Sequence, residues 1–429
     1  MESESLRSLW WQTAAPPPPT TRLERDITAE VAIVGGGFTG LTAALHLARR
    51  GRNVVVLEAE QLGAGASGVN AGFVVPNFAK ADPATVMRRL GEARGRALLA
   101  LVAQGGDRVF ETARAFGIEC GAAQTGWLQR AHSQAADEAV RERVDFWRSL
   151  GRPVEYLSGE AVRELCGVAG YRGALLDRSG GTIQPLSYLR GLARAAMERG
   201  AAVYERAPVK AAERRNGRWQ LDCGGYAVAA DLVLLCTNAG ANGLARRLAR
   251  TIVPLPVYQI ATEPLPPKIV ERISPERMPM SDMRGNIFTY RLDRDNRLIS
   301  GGMAVVPIGA HKRLAKAIVA RLARKLELDP TPRVEFVWRG VAAMTTDFLP
   351  HLYEFAPGFI GAVGCNGRGI AMTAMLGEAL ADAATGTPLG ELPVPTAPPK
   401  AIPLRPLAGA VASAALVHAR WEDWRSRDV

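Results

Sequence analysis

The 429-residue chain is 48% hydrophobic, enough material for a substantial core and long enough for two or three domains. Its 53 basic and 42 acidic residues give a formal charge of +11, a balance that attracts carboxylate substrates, acidic membrane surfaces or nucleic acid. With no finger spacing, basic-aromatic repeat or long basic run, nucleic-acid binding gives way to an arginine-rich solvated surface; five cysteines without a CxxC pair and five scattered histidines argue against a disulfide framework or a zinc site and fit a reducing cytoplasm.

Residues 1–26 read as an arm. Met1 to Ser5 is acidic where a secretory leader would be basic, Trp10 and Trp11 are placed to pin the arm to the body, and Pro16 to Pro19 form a linker. A βαβ pattern follows: Glu30–Val34 as a buried strand, Gly40–Arg50 as a helix stopped by Gly51, and Asn53–Leu57 as the next strand. Residues 83–150 are mostly helical by spacing, with Trp127 inside that helical insert. Then come a helix over Leu186–Arg199 and strands at Ala202–Tyr204, Pro208–Ala212 and Leu232–Leu235. Residues 250–308 and 333–343 are strand-rich around a charged helix, Lys312–Lys325, and a last helix spans Ile370–Ala384. Beyond Thr385 the tail is proline-rich. Its stretch Leu407–Val417 is too short for a membrane span of about 20 apolar residues and reads as a surface-docked helix. Trp421 and Trp424 are candidate docking points.

In Gly35-x-Gly37-x-x-Gly40 the first glycine permits the strand-to-helix turn, the second leaves room for a pyrophosphate, and the third lets helix and sheet approach. The motif, with Phe38 and Thr39 inside it, opens a helix whose free N–H groups suit phosphates. Glu58, followed by Ala59, ends the second strand where a carboxylate accepts both ribose hydroxyls. These residues leave NAD and FAD open. The loop that follows is built of small residues, with Gly65, Ala66, Ser67, Asn70, Ala71 and Gly72 suited to run beside an extended cofactor. A second glycine cluster, with Gly364, Asn366, Gly367, Arg368, Gly369 and Ile370, sits between a strand and a helix far along the chain. Two such junctions suggest one long cofactor held at both ends, which favours FAD.

The sequence resembles the D-amino acid oxidase superfamily of FAD-dependent oxidoreductases, in the branch containing glycine oxidase, sarcosine oxidase and gamma-glutamylputrescine oxidoreductase, the last being nearest. The resemblance rests on the Ser8-Leu9-Trp10 arm, the fingerprint with Glu58, the Gly65–Gly72 loop, Thr237-Asn238-Ala239-Gly240, Thr346-Asp347-x-x-Pro350 and the late cluster. It implies an α/β fold with a discontinuous Rossmann-like FAD domain (27–96, 157–248 and 338–386). A second, α+β substrate domain on a mixed sheet (97–156 and 249–337) would cover the flavin, and 387–429 would be a tail. It also implies adenine-side contact through the Val209 backbone, and cofactor contact at Thr237, Asn238 and Gly240.

Two departures bear on the cofactor. The stretch Arg339–Met344 has no cysteine and the loop 63–72 no histidine, so the FAD is expected to be noncovalent. The strand Arg297–Gly302 lacks the lysine that sarcosine oxidase-like members place over the flavin, which leaves oxygen or another acceptor open. The resemblance implies hydride transfer from a carbon beside an amine nitrogen, giving an imine that hydrolyses. Candidate catalytic residues are Tyr290, Arg291, Asn366 and Arg368; alternation puts Phe288 and Tyr290 on one strand face, Thr289 and Arg291 on the other. Either arginine suits a substrate carboxylate, with Arg339 as a further clamp. His46, His311, His351 and Cys365 read as packing or loop residues. Competing readings are a hydroxy-acid dehydrogenase and a non-catalytic, flavin-bearing, membrane-associated protein.

Overall fold

The computed structural model describes residues 8–240, 242–304, 308–403 and 408–425, without the side chains of 408–412 and Trp424. The acidic start at Met1 to Ser5, Leu407 and the Trp424 side chain therefore lie outside the described residues.

Val31, Ala32 and Ile33 are fully buried, as the uninterrupted apolar run requires of a parallel strand covered on both faces. The strand Ile27–Val34 forms the centre of the first sheet, parallel to Ala227–Leu235 on one side and Val54–Leu57 on the other. Among the described residues this sheet has nine strands, running Thr396–Ala397, His351–Ala356, Phe359–Val363, Ala227–Leu235, Ile27–Val34, Val54–Leu57 and Ala202–Tyr204, with the hairpin Ala211–Arg215/Arg218–Asp222 attached to Ala227–Leu235. The first hairpin strand thus starts later than Pro208. Helices Phe38–Arg49, Pro185–Met197 and Gly369–Ala384 pack together on one side of it.

The second sheet has eight strands among the described residues, in the order Val334–Met344, Val253–Pro264, Arg297–Met303, Thr289–Leu292, Met280–Asp282, Trp127–Ala131, Gly173–Asp177 and Val154–Ser158. Its pairings are antiparallel except Met280–Asp282 with Trp127–Ala131. The segment 83–150 is thus not wholly helical. Trp127 stands on a buried strand, with its indole N–H donating to Ser281 Oγ at 3.0 Å. Because Gly173–Asp177 belongs to this sheet and Val334–Met344 is its edge, the chain changes sheets later than residue 157 and later than residue 338. The helix Ala310–Leu326 backs the sheet, burying Leu314, Ile318 and Leu322, each worth about 1.5–3 kcal/mol on full burial.

The tail ends in a helix, Ala408–Arg425, longer than the expected stretch. Leu416 is buried on its inner side while Val417 and Trp421 face solvent, so Trp421 is no docking point. Among the described residues no helix is long and apolar enough to cross a membrane.

Candidate functional site

A cavity of about 1910 Å³ runs between the two sheets. That exceeds the roughly 300–1,000 Å³ of an ordinary small-molecule site and leaves room for an extended dinucleotide together with a second ligand.

One end is built by the first strand-turn-helix. Gly35, Gly37, Phe38 and Thr39 line it, beneath the N-terminus of the helix Phe38–Arg49. Gly40 does not reach the cavity. A Cβ there would lie 2.1 Å from the Gly35 carbonyl oxygen, so the glycine lets the helix close onto the turn. Glu58 and Ala59 line the same end. The Glu58 carboxylate accepts from the Gly36 N–H at 2.8 Å and the Glu60 N–H at 3.0 Å; burial raises its pKa, partly offset by these two donors. Val209, Thr237, Asn238 and Gly240 complete this wall, and the Thr237 hydroxyl is buried without a partner.

Gly65, Ala66, Ser67, Asn70 and Ala71 form the middle. Ser67 Oγ accepts from the Phe38 N–H at 3.0 Å, tying loop to helix. Asn70 folds the loop on itself, donating to the Ser67 carbonyl at 2.8 Å and accepting from the Gly72 N–H at 2.9 Å. Gly72 lies behind the wall.

The far end is the late cluster, where Gly364, Asn366, Gly367, Arg368, Gly369 and Ile370 line the cavity at the start of the helix Gly369–Ala384. Asn366 points inward: its amide accepts from the Thr345 N–H and donates to the Gly364 carbonyl, both at 2.8 Å, which fixes the turn and leaves little for a substrate. Arg368 differs. Its Nε is buried without a partner and its guanidinium lies 5.3 Å from the Trp127 ring centroid. Burial, then the nearby Arg143 charge, brings its pKa down to about 10, so it stays cationic at neutral pH.

Tyr290 and Arg291 do not line the cavity, although the alternation of their faces holds. Tyr290 is fully buried, its hydroxyl donating to the Ile273 carbonyl at 3.1 Å and its ring 5.7 Å from that of Phe288. Arg291 donates to the carbonyls of Gly72 at 2.8 Å and Ile183 at 2.7 Å. The substrate-clamp expectation for this pair is therefore corrected: an interior arginine must satisfy its donors, and backbone carbonyls do so here. Thr289, which precedes them on the strand, does line the cavity, as does the exposed Arg339. His351 pairs with Asp347 at 2.9 Å and His311 meets the Val337 carbonyl at 3.2 Å.

Sequence reading missed three contributors to the wall. Lys80 sits in a turn with no motif, its pKa lowered by burial and by Arg368. Gln259 stands on the second sheet with a buried, unpartnered Oε1. Leu416 and Ala419 bring the C-terminal helix over the cavity, where the Asp423 carboxylate accepts from the Gly285 N–H at 2.8 Å and the Asn286 N–H at 2.9 Å.

The donor set fits FAD. The Glu58 carboxylate, two helix N-termini and small-residue walls line one cavity, and Thr237, Gln259 and Arg368, each with an enclosed polar atom that has no partner, line it too. A family profile described as "FAD dependent oxidoreductase" matches residues 30–383. The gamma-glutamylputrescine oxidoreductase of Escherichia coli (strain K12) is 30% identical over 366 residues, 85% of each chain. The glycine oxidase of Geobacillus kaustophilus (strain HTA426) is 27% identical over 368 residues, 82% of this chain and 92% of that one. A crystal structure of glycine oxidase from Geobacillus kaustophilus superposes with a TM-score of 0.69 at 23% identity, covering 84% of this chain and 95% of that one.

Proposed function

The chain belongs to the FAD dependent oxidoreductase family, and from that premise we propose that it oxidises the carbon–nitrogen bond of a small amine or amino acid carrying a carboxylate. The observation that carries the carboxylate is Arg368, a partly buried cation that lines the far end of the cavity with its guanidinium 5.3 Å from the Trp127 ring centroid. An uncompensated charge in a low-dielectric wall is costly, and an anionic substrate group relieves that cost. The names of two relatives, a gamma-glutamylputrescine oxidoreductase and a glycine oxidase, support an amine as the donor.

FAD, when bound, supplies the acceptor for the hydrogen and two electrons leaving the carbon beside the nitrogen. The adenosine ribose would be held by Glu58, the phosphates by the N-terminus of the helix Phe38–Arg49, and the ring by the segment 364–370. Arg368 then binds the substrate carboxylate and sets the donor's orientation, while the second sheet and the helix Ala408–Arg425 exclude water. The amine must arrive unprotonated, since its lone pair assists departure of the hydrogen, and the imine formed is hydrolysed to a carbonyl compound.

Cofactor attachment is proposed as noncovalent. Cys236 and Cys365 line the cavity, but burial raises both thiols, Cys236 to about 12, so neither is a ready nucleophile. All five cysteines are free thiols, which supports a reducing compartment such as the cytoplasm. The test is anaerobic: amino acids and their decarboxylated amines are mixed with the FAD-loaded protein. Bleaching of the flavin band by a carboxylate-bearing amine, with a carbonyl product, is the expected result. A flavin left oxidised by every amine, but bleached by hydroxy acids, would overturn the proposal.

A further inference from the structure

The loop that brings Val69, Asn70 and Ala71 to the cavity is held from behind by three buried donors from distant parts of the chain. The Trp10 indole N–H donates to the Asn70 carbonyl at 2.6 Å, and the Trp338 indole N–H to the Val69 carbonyl at 2.8 Å. Arg291 takes the Gly72 carbonyl at 2.8 Å. The three also hold one another. The two indoles meet edge to face with centroids 5.9 Å apart, and the Arg291 guanidinium lies 5.6 Å from the Trp10 ring centroid. Trp10 is 1% exposed and Trp338 0%.

The local sequence is adapted to this clamp. Gly72 has φ +75°, and a Cβ there would stand 2.2 Å from Arg291 Nη1, so the guanidinium reaches the carbonyl because the residue has no side chain. The arm is anchored in turn, since Gln184 Nε2 donates to the Trp10 carbonyl at 3.0 Å. Apart from one turn of 3-10 helix at Ala66–Gly68, the loop has no regular structure to fix its peptide planes. The Asn70 side chain ties Ala66, Ser67 and Gly72 together from within, while the carbonyls of Val69, Asn70 and Gly72 accept from donors outside the loop. Trp10 lies outside the family match, which begins at residue 30, yet acts on a loop inside it.

We propose that Trp10 is a positioning residue for the cofactor, its indole N–H setting the peptide planes of the 69–72 loop so that the N-terminal arm forms part of the FAD site. This rests on the reading that the cavity holds FAD. Trp338 and Arg291 complete the clamp, and none of the three lines the cavity.

The test compares full-length Trp10→Phe with Leu9→Ala. The first keeps an aromatic ring against Trp338 and removes the donor; the second removes buried apolar volume from the same short helix and no donor. FAD is stripped, and its Kd is read from quenching of flavin fluorescence on reconstitution, beside the melting temperature of each apoprotein. Leaving one buried carbonyl unsatisfied weakens FAD binding by about 5- to 150-fold. Trp10→Phe is expected to show that loss while its apoprotein melts no lower than Leu9→Ala, whose Kd stays near wild type. If Trp10→Phe fails to fold, Trp338→Phe is read in the same way. A wild-type Kd in the donor-deleted variant, or an equal loss of affinity in Leu9→Ala, overturns the proposal. Failure of the wild-type chain to bind FAD would instead overturn the reading of the site.

Discussion

Arg368→Met separates what this side chain does for the reaction from what it does for the fold. The side chain is partly buried, its guanidinium lies 5.3 Å from the Trp127 ring centroid, and its enclosed Nε has no partner. Its pKa falls from 12.5 to about 10 through burial and the Arg143 charge. For a cation, a folded-state pKa below the unfolded one means that the charged form opposes folding at every pH below about 10. At about 1.4 kcal/mol per unit, that opposition is roughly 3 kcal/mol. Methionine keeps much of the apolar stem and removes the charge, so the apoprotein should melt at an equal or higher temperature. Against this, a charge-assisted hydrogen bond to a substrate carboxylate contributes about 1.5–3 kcal/mol. Its loss lowers kcat/KM by roughly 10- to 150-fold for a carboxylate-bearing amine and has little effect on the decarboxylated analogue. Rapid mixing under nitrogen gives the reduction rates, and differential scanning calorimetry gives the stability. An equal loss for both substrates, or a melting temperature several degrees lower, would refute the reasoning.

Glu58→Gln keeps an acceptor for the Gly36 N–H but removes the charge at the ribose end, so FAD should bind about 10- to 100-fold more weakly in a fluorescence titration, whereas an unchanged Kd would place the adenosine elsewhere. Deleting residues 404–429 removes Leu416, Ala419 and the Asp423 carboxylate from the outer wall; KM and FAD dissociation should both rise, and a kinetically silent deletion would remove the helix from the site. Burial alone would raise the Asp347 carboxyl, but His351 and the Leu349 N–H outweigh it and bring it down to about 2. A depressed carboxyl stabilises the fold above its unfolded pKa near 4 and loses that contribution as pH falls through about 2. After allowance for solvent screening, Asp347→Asn should cost about 1 kcal/mol at pH 7 and nothing near pH 2, as read from urea titrations at the two pH values.

The first strand–turn–helix was legible because its determinants are local. A buried parallel strand must read as a continuous apolar run, and Gly40 must be small to meet the Gly35 carbonyl a few residues away. The late cluster was legible for the same reason. Trp127 was not, because its strand is flanked by helices in sequence and pairs with Met280–Asp282, a partner that local spacing does not record. Alternation correctly separated Tyr290 from Arg291, but which strand face meets the cofactor depends on how the sheets are stacked. Arg291 turned toward the Gly72 and Ile183 carbonyls, and Tyr290 into a core beside Phe288. Lys80, Gln259 and Leu416 carry no pattern, since each reaches the cavity by tertiary placement alone.

The central claim is cleavage of a carbon–hydrogen bond beside an amine nitrogen in a cavity that holds FAD. It is tested most directly by anaerobic reduction of the bound flavin with a carboxylate-bearing amine deuterated at that carbon. The account predicts bleaching with a primary isotope effect on its rate. Bleaching without an isotope effect even in single-turnover rapid mixing, or none with any amine, would contradict it.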